Sequence, residues 1–253
     1  MSRASERTRR RPIGAEGTSE SEWRTWPTLA ELPTVELSGV RSVVVIAPHP
    51  DDEVLGFGGG LALLAGFGAQ LRIVAVTEGE ASHPNSTTLT RGEMARRREG
   101  ERANALHHLG VDAEVVQLCL PDGAVATAEV EVATRLRALC VEFDLCVAPW
   151  RADLHPDHDA VGRAAHLACA AAATPLARYP VWMWHWARPG QPEVPWHEAH
   201  QIVLPEYVRR RKCAALGCFT SQIAPLSEYP EDAATLSPEM LAHFSRDTET
   251  VFW

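Results

Sequence analysis

Two short segments of this chain concentrate side chains that can bind a cation and move a proton. The first is Pro48-His49-Pro50-Asp51-Asp52-Glu53, with one imidazole and three carboxylates inside five residues. Acids this close repel one another at a dry position unless a cation sits among them. The two prolines hold the local backbone, which suits a preorganised ligand cluster. His49 and Asp52 are three residues apart, so in a tight turn both can face one ion while Asp51 stays free as a base. The second segment is His155-Pro156-Asp157-His158-Asp159, where two histidines again stand three apart. His49, Asp52 and one of these two histidines would give three N/O ligands and a position open for water, the composition of a catalytic zinc site. A structural zinc site would be closed by four ligands, often cysteines, and no cysteine pair is near in sequence. Helix capping by the same acids is the plainer use for each segment alone. It does not account for the histidines, nor for the same pattern recurring after two different strands.

Both segments must be carried to one place, and the surrounding sequence does this. Ser42–Ala47 is a continuous β-branched run, suited to a strand buried on both faces, and it ends at Pro48. Leu145–Ala148 is a second apolar strand and ends just before Pro149. Leu71–Thr77, Ala113–Leu118, Val181–Trp186 and Gln201–Leu204 read as further strands. Helices are expected over Val54–Gly68, Arg91–Leu109, Ala126–Phe143, Pro156–Ala173, Pro205–Leu216 and Pro238–Phe244. The alternation implies an α/β fold, doubly wound and Rossmann-like, with a mostly parallel sheet and helices on both faces. Ligands in such sheets bind outside the carboxyl ends of the strands, where both acidic segments fall. Residues 1–38 read as a leader with a mobile start and a second half packed on the surface; residues 39–253 read as one domain. Gly56-Phe57-Gly58-Gly59-Gly60 resembles a dinucleotide loop only superficially. Leu61 stands where its last glycine belongs, and the preceding carboxylates would repel a pyrophosphate.

Composition narrows the partners. The 253 residues carry 24 Lys+Arg against 33 Asp+Glu, a net charge of −9, and Lys212 is the sole lysine. The chain is too apolar, at 45% hydrophobic residues, to be disordered throughout, and too acidic for a general nucleic-acid binder. No run approaches the roughly 18 apolar residues of a membrane span. Arg9-Arg10-Arg11 is followed by Glu16, Glu20 and Glu22 where an export signal would be apolar. Six cysteines without a C-x-x-C pair read as buried free thiols. A cytoplasmic protein is expected.

The two segments carry a family resemblance. Pro48–Glu53 resembles the P-H-P-D-D-E signature of the PIG-L / LmbE-like zinc-dependent de-N-acetylases, and His155–His158 their H-P-D-H signature, in the same order and about 100 residues apart. Weaker similarity lies in Thr77-Glu78-Gly79, Arg98, Glu101, Pro121-Asp122-Gly123, Lys212 and Ser221-Gln222. The resemblance implies His49, Asp52 and His158 as metal ligands and Asp51 as general base. It implies His155, protonated, as acid or oxyanion stabiliser, with Asp157 orienting and charging it. It also implies a zinc ion (Fe2+, Co2+ or Mn2+ being compatible with His/Asp ligands) and a small N-acetylated amino sugar or glycoconjugate as substrate. Some relatives have a tyrosine where this chain has Asp153, which leaves the oxyanion partner unassigned.

Arg98, Glu78, His83 and Asp153 are candidate substrate contacts. Glu78 and His83 lie in a polar 78–91 connection long enough to act as a substrate lid. Trp182, Trp184 and Trp186 would share one strand face, as core, interface or sugar platform. His197-Glu198-Ala199-His200 has the wrong spacing for a zincin helix and reads as surface. Two other functions compete: a two-metal phosphoesterase, with Glu53 and Asp157 serving a second ion, and a non-catalytic carbohydrate-binding protein of the same fold. The oligomeric state stays open.

Overall fold

The computed structural model describes residues 17–253. In chain order the elements are α1 (Glu20–Arg24), α2 (Pro27–Ala30), β1 (Ser42–Ala47), α3 (Asp52–Gly66), β2 (Gln70–Ala75), α4 (Arg91–Leu109) and β3 (Glu114–Gln117). There follow α5 (Glu129–Cys140), β4 (Leu145–Pro149), α6 (Pro156–Ala172), β5 (Leu176–Tyr179), α7 (Met183–Trp186) and β6 (Ala199–Val203). The chain closes with α8 (Glu206–Leu216), α9 (Thr220–Ile223), α10 (Pro238–Ala242) and β7 (Thr248–Phe252). Seven strands form one sheet in the order β3-β2-β1-β4-β5-β7-β6. Strands β1 to β5 pair in parallel, and β7 runs antiparallel between β5 and β6.

Each central strand feeds two cores, because successive side chains point to opposite faces. Val43, Val45, Ile73 and Val147 pack with Leu61 and Leu64 of α3, Leu109 of α4 and Val208 of α8. Val44, Ile46, Val74 and Cys146 pack on the other face with Leu136 of α5 and Val161 of α6. The continuous apolar runs follow from this two-sided burial.

The leader is partly absorbed into the first core. Trp23, Leu29, Leu32 and Leu37 are buried there, and Trp23 Nε1 donates to Trp184 O at 2.9 Å. The expected mobile start falls on residues 1–16, outside the described residues. Among the described residues no helix is long and apolar enough to cross a membrane.

One predicted strand is corrected. Val181–Trp186 is not extended: Met183–Trp186 is a helical turn. The cause lies far away in sequence, since the Asp153 carboxylate accepts from the backbone N–H groups of Val181, Trp182 and Met183. It thus caps donors that a short helix leaves unpaired. The three tryptophans therefore part. Trp182 lines a cleft, Trp184 packs on Trp23, and Trp186 stacks on Trp150. Strands β5 and β7 were not anticipated. The cysteine expectation holds for half the set: Cys140, Cys146 and Cys169 are buried, whereas Cys119 and Cys213 are exposed and Cys218 is half-buried, all six free.

Candidate active site

β1 and β4 are neighbours at the centre of the sheet, and the chain leaves them in opposite directions across it. That is the switch point of a doubly wound sheet, where a crevice opens. The loop after β1 delivers His49 and Asp51 and the first turn of α3 Asp52; the loop after β4 delivers His155 and the first turn of α6 His158. Both line one cleft of about 480 Å3, joined by Arg98, Asp122, Trp182 and Gln222.

Asp52 stands between the two histidines, which with His155 bring ring nitrogens within 4.8 Å of one another. Asp52 Oδ2 lies 3.1 Å from His49 Nδ1 and 3.2 Å from His158 Nε2. A tetrahedral ion with ligand distances of about 2.0–2.1 Å has ligand–ligand edges of roughly 3.3–3.4 Å, close to these separations. His158 Nε2 is buried, and its one close neighbour is Asp52 Oδ2 at 3.2 Å. The opposite nitrogens are held. His158 Nδ1 donates to Asp153 Oδ2 at 2.8 Å, and His49 Nε2 lies 3.3 Å from Asp157 Oδ2 and 3.2 Å from Asp122 Oδ1. Carboxylates on the far ring nitrogen are how metal-binding histidines are oriented and made more basic. The residues present therefore fit a divalent metal ion.

The electrostatics agree. Burial opposes a charge on His49, but hydrogen bonds to Asp122, Asp157 and Asp52 outweigh it and raise the pKa well above 6.5. Burial likewise opposes a charge on His158, and Asp52 and Asp153 still lift it to about 9. The carboxylates that raise both values make the position electrostatically favourable for positive charge.

Asp51 stands beside this set in a strained backbone. Its φ is 151°, a conformation costly for a residue with a Cβ. Its carboxylate is buried; burial and the neighbouring Asp52 and Glu53 raise its pKa to about 7, against the opposing pull of Arg98 and His49. Arg98 Nη2 donates to Asp51 Oδ2 at 3.0 Å and to Pro50 O at 2.9 Å, and Nη1 donates to Gly79 O. Gly79 has φ +64°, and a Cβ there would lie 2.0 Å from Arg98 Nη1. That glycine leaves room for the guanidinium.

The other predicted residues take different places. His155 is the N-cap of α6, and its Nδ1 accepts the Asp157 backbone N–H at 3.3 Å. Burial, then the charges of His158 and His49, depress its pKa to about 2, so it is neutral rather than protonated. The expected carboxylate pairing of Asp157 with His155 is not made. Asp157 turns instead to His49 and accepts from Gly123 N at 2.7 Å and Val125 N at 3.2 Å. Asp153 is fully buried and holds His158 and α7, away from the cleft lining. Glu78 is not on the cleft wall. His83 is not there either: its Nε2 lies 3.1 Å from Ala233 O, tying the 78–90 connection to the 224–236 segment. Only Arg98 of those four lines the cleft. Asp122 was noted as a weak motif and given no role. It follows β3 at the same sheet edge, a signal that was available. Gln222, noted with Ser221 as a family-like position, and Trp182, one of three tryptophans weighed as a sugar platform, do reach the cleft, Gln222 from a short helix and Trp182 from the cap of another.

Fold and site together define an α/β protein with a His/Asp cation site at the carboxyl edge of a parallel sheet. Residues 44–169, which carry both acidic segments, match the family model described as "PIG-L: GlcNAc-PI de-N-acetylase", and the chain belongs to this family. It is 36% identical over 98 residues, 37% of this chain, to a 1D-myo-inositol 2-acetamido-2-deoxy-alpha-D-glucopyranoside deacetylase of Kineococcus radiotolerans. The aligned stretch spans only 27% of that relative. A deacetylase of the teicoplanin biosynthesis pathway, solved in complex with bog, is 26% identical at a TM-score of 0.59, covering 72% of this chain and 84% of that one. GalB, the 4-carboxy-2-hydroxymuconate hydratase of Pseudomonas putida KT2440, has a TM-score of 0.54 at 22% identity, covering 72% of this chain and 80% of that one. That similarity concerns the fold alone, and it means that the fold does not by itself fix the reaction.

Proposed function

We propose that this protein is a metal-dependent hydrolase that removes an N-acetyl, or other N-acyl, group from an amino sugar or an amino-sugar conjugate. The observation that carries this reading is the convergence of His49 Nδ1, Asp52 Oδ2 and His158 Nε2 beside a buried Asp51. His49, Asp52 and His158 would hold the ion, for which we propose zinc on the strength of its mixed N/O donors. A divalent ion bound there supplies Lewis-acid polarisation of the amide carbonyl and acidifies water. Asp51 accepts the proton of the attacking water, and a pKa of about 7, drawn lower by a nearby cation, suits a base at neutral pH. Arg98 fixes Oδ2 of that carboxylate and leaves Oδ1 for the proton.

His155 acts as a neutral donor. Its Nδ1 is committed as an acceptor, so the ring proton sits on Nε2 and can bond the developing oxyanion. The proton needed by the leaving amine then returns from Asp51. Asp157 and Asp122 orient His49, and Asp153 orients His158. Both Asp157 oxygens already accept backbone N–H groups, which supports this role over ligation of a second ion. The six free cysteines support a reducing, cytoplasmic setting.

The test is a panel of N-acetylated amino sugars and conjugates, scored for free amine and acetate with and without chelation of metal. Equimolar amine and acetate, lost on chelation and restored by zinc, is the expected result. Phosphate release from esters without amine release, or hydration of an unsaturated acid, would overturn it.

A further inference from the structure

The cleft says more about the substrate than that it carries an amide, and the following rests on the deacylase reading. Its volume of about 480 Å3 is in the range of pockets that enclose a whole drug-sized molecule, well beyond an acetyl group. The part of the substrate other than the amide is therefore also inside.

Charge is the first filter. Among the described residues lining the cleft, Arg98 is the sole Lys or Arg. It is buried, and its two terminal nitrogens are spent on Asp51, Pro50 O and Gly79 O. Apart from His49 and His158, which the cation site takes up, the other charged side chains on the wall are acids: Asp51, Asp52 and Asp122. Two backbone donors at the cleft are already taken. Helix α6 opens at the cleft with Pro156, which has no N–H, and the next N–H is received by His155. Gly123 N is received by Asp157. A phosphate or nucleotide group normally meets an arginine fork, a lysine or free helix N–H groups; on this wall it would find no free arginine fork or lysine and would face Asp122.

Shape and polarity are the second filter. Leu55, Pro84, Val181, Trp182 and Leu236 line the cleft with apolar surface. The Trp182 indole is half-buried and stands parallel to the His155 ring, 6.3 Å between centroids at 16°. It leaves a flat apolar face beside the reacting position. The polar groups that remain are uncharged. Gln222, Ser82 and Thr235 are linked by hydrogen bonds and match sugar hydroxyls.

We infer that the substrate is an electrically neutral N-acyl amino sugar whose aglycone is apolar, aromatic or alkyl, and lies against Trp182, Pro84 and Leu236. Phosphorylated and nucleotide-linked sugars are excluded by the same walls.

The test compares kcat/KM for amine release from the octyl and phenyl glycosides of N-acetylglucosamine, free N-acetylglucosamine, and N-acetylglucosamine 1-phosphate. The apolar glycosides should exceed the free sugar by about 10-fold or more, the scale of a few buried methylenes, and the phosphate should fall at or below it. Trp182→Ala should shrink the ratio of octyl glycoside to free sugar. Equal turnover of all four, or a preference for the phosphate, overturns the inference and leaves the deacylase reading standing. If none releases amine, the deacylase reading falls. Titration calorimetry with the octyl glycoside and the sugar phosphate then decides the aglycone by itself. Tighter binding of the octyl glycoside, weakened by Trp182→Ala, supports the inference; tighter binding of the phosphate, or equal binding, overturns it.

Discussion

Helix α3 has a buried charge cluster at each end of its first turn, and the two are built in opposite ways. At the turn's start stand His49, Asp51, Asp52 and His158. Five residues on, the helix breaks at Phe57, whose φ of −145° is not helical. The break frees the Leu55 carbonyl and the Gly59 and Gly60 N–H groups. Lys212 Nζ donates to Leu55 O at 2.8 Å and to Glu249 Oε1 at 2.6 Å, while Glu249 accepts from Gly59 N at 2.6 Å and Gly60 N at 2.8 Å. A Cβ on Gly59 would meet Leu204 at 2.5 Å, so the backbone can approach Glu249 only as glycine. Both charged side chains are 2% exposed, and neither has an unpartnered buried atom. The cluster at the helix start is left open. His158 Nε2, Glu53 Oε1 and Arg98 Nε are buried without partners, and Asp51 is both strained and shifted. At Lys212 and Glu249 the charge is satisfied by the protein itself; at the helix start it is left incomplete, as the proposed chemistry requires.

Breaking each cluster should therefore have opposite consequences. The largest effect is on turnover. Asp51→Asn is expected to lower amine release by about 10^2- to 10^4-fold while metal content, read by elemental analysis, is unchanged. A loss of less than about 10-fold would remove Asp51 from its role. The next effect is on stability. Lys212→Met leaves the Glu249 carboxylate buried and unpaired, which should cost about 3–5 kcal/mol in denaturant unfolding.

Asp51→Asn should do the reverse in metal-stripped protein. The Asp51 pKa rises from 3.8 to about 7 on folding, so its ionisation costs nothing below pH 3.8 and an increasing amount as pH climbs through 7. The variant should melt higher than the wild type at pH 8, and the gain should vanish near pH 4. A stability-neutral Lys212→Met would dissolve the contrast.

Smaller effects sharpen it. Asp153→Asn should weaken metal binding about 10- to 100-fold by calorimetry, because His158 loses the carboxylate that orients it. The smallest effect is at the leader. Burial opposes ionisation of Glu20, but hydrogen bonds from His243 and Arg246 hold its pKa at about 2, against an ordinary 4.5. The depressed value means its contribution is complete above pH 4.5 and lost as pH falls toward 2. Emission from the buried Trp23 should shift within that window and be flat above it.

What could be read from the sequence follows the same division. The parallel sheet and the open cluster were legible, because each strand run and each acidic loop is written in consecutive residues: Ser42–Ala47 leads into His49–Glu53, and Leu145–Ala148 precedes His155–His158. The closed cluster was not. Lys212 was visible as the sole lysine and as a family-like position, but its partners Leu55 and Glu249 are 157 and 37 residues away. The same distance hid the capping of α7 by Asp153 and the turn of Asp157 toward His49. Local patterns specify elements and short ligand loops; long-range polar satisfaction needs the fold.

The central claim is that His49, Asp52 and His158 form a metal site on which N-deacylation depends. Titrating zinc into chelator-stripped protein, while following amine release from an N-acetylglucosamine glycoside, tests it most directly. The account predicts no release without metal, recovery saturating at one ion per chain, and neither binding nor recovery in His158→Ala. Full release from the stripped protein, or unchanged metal binding by His158→Ala, would contradict it.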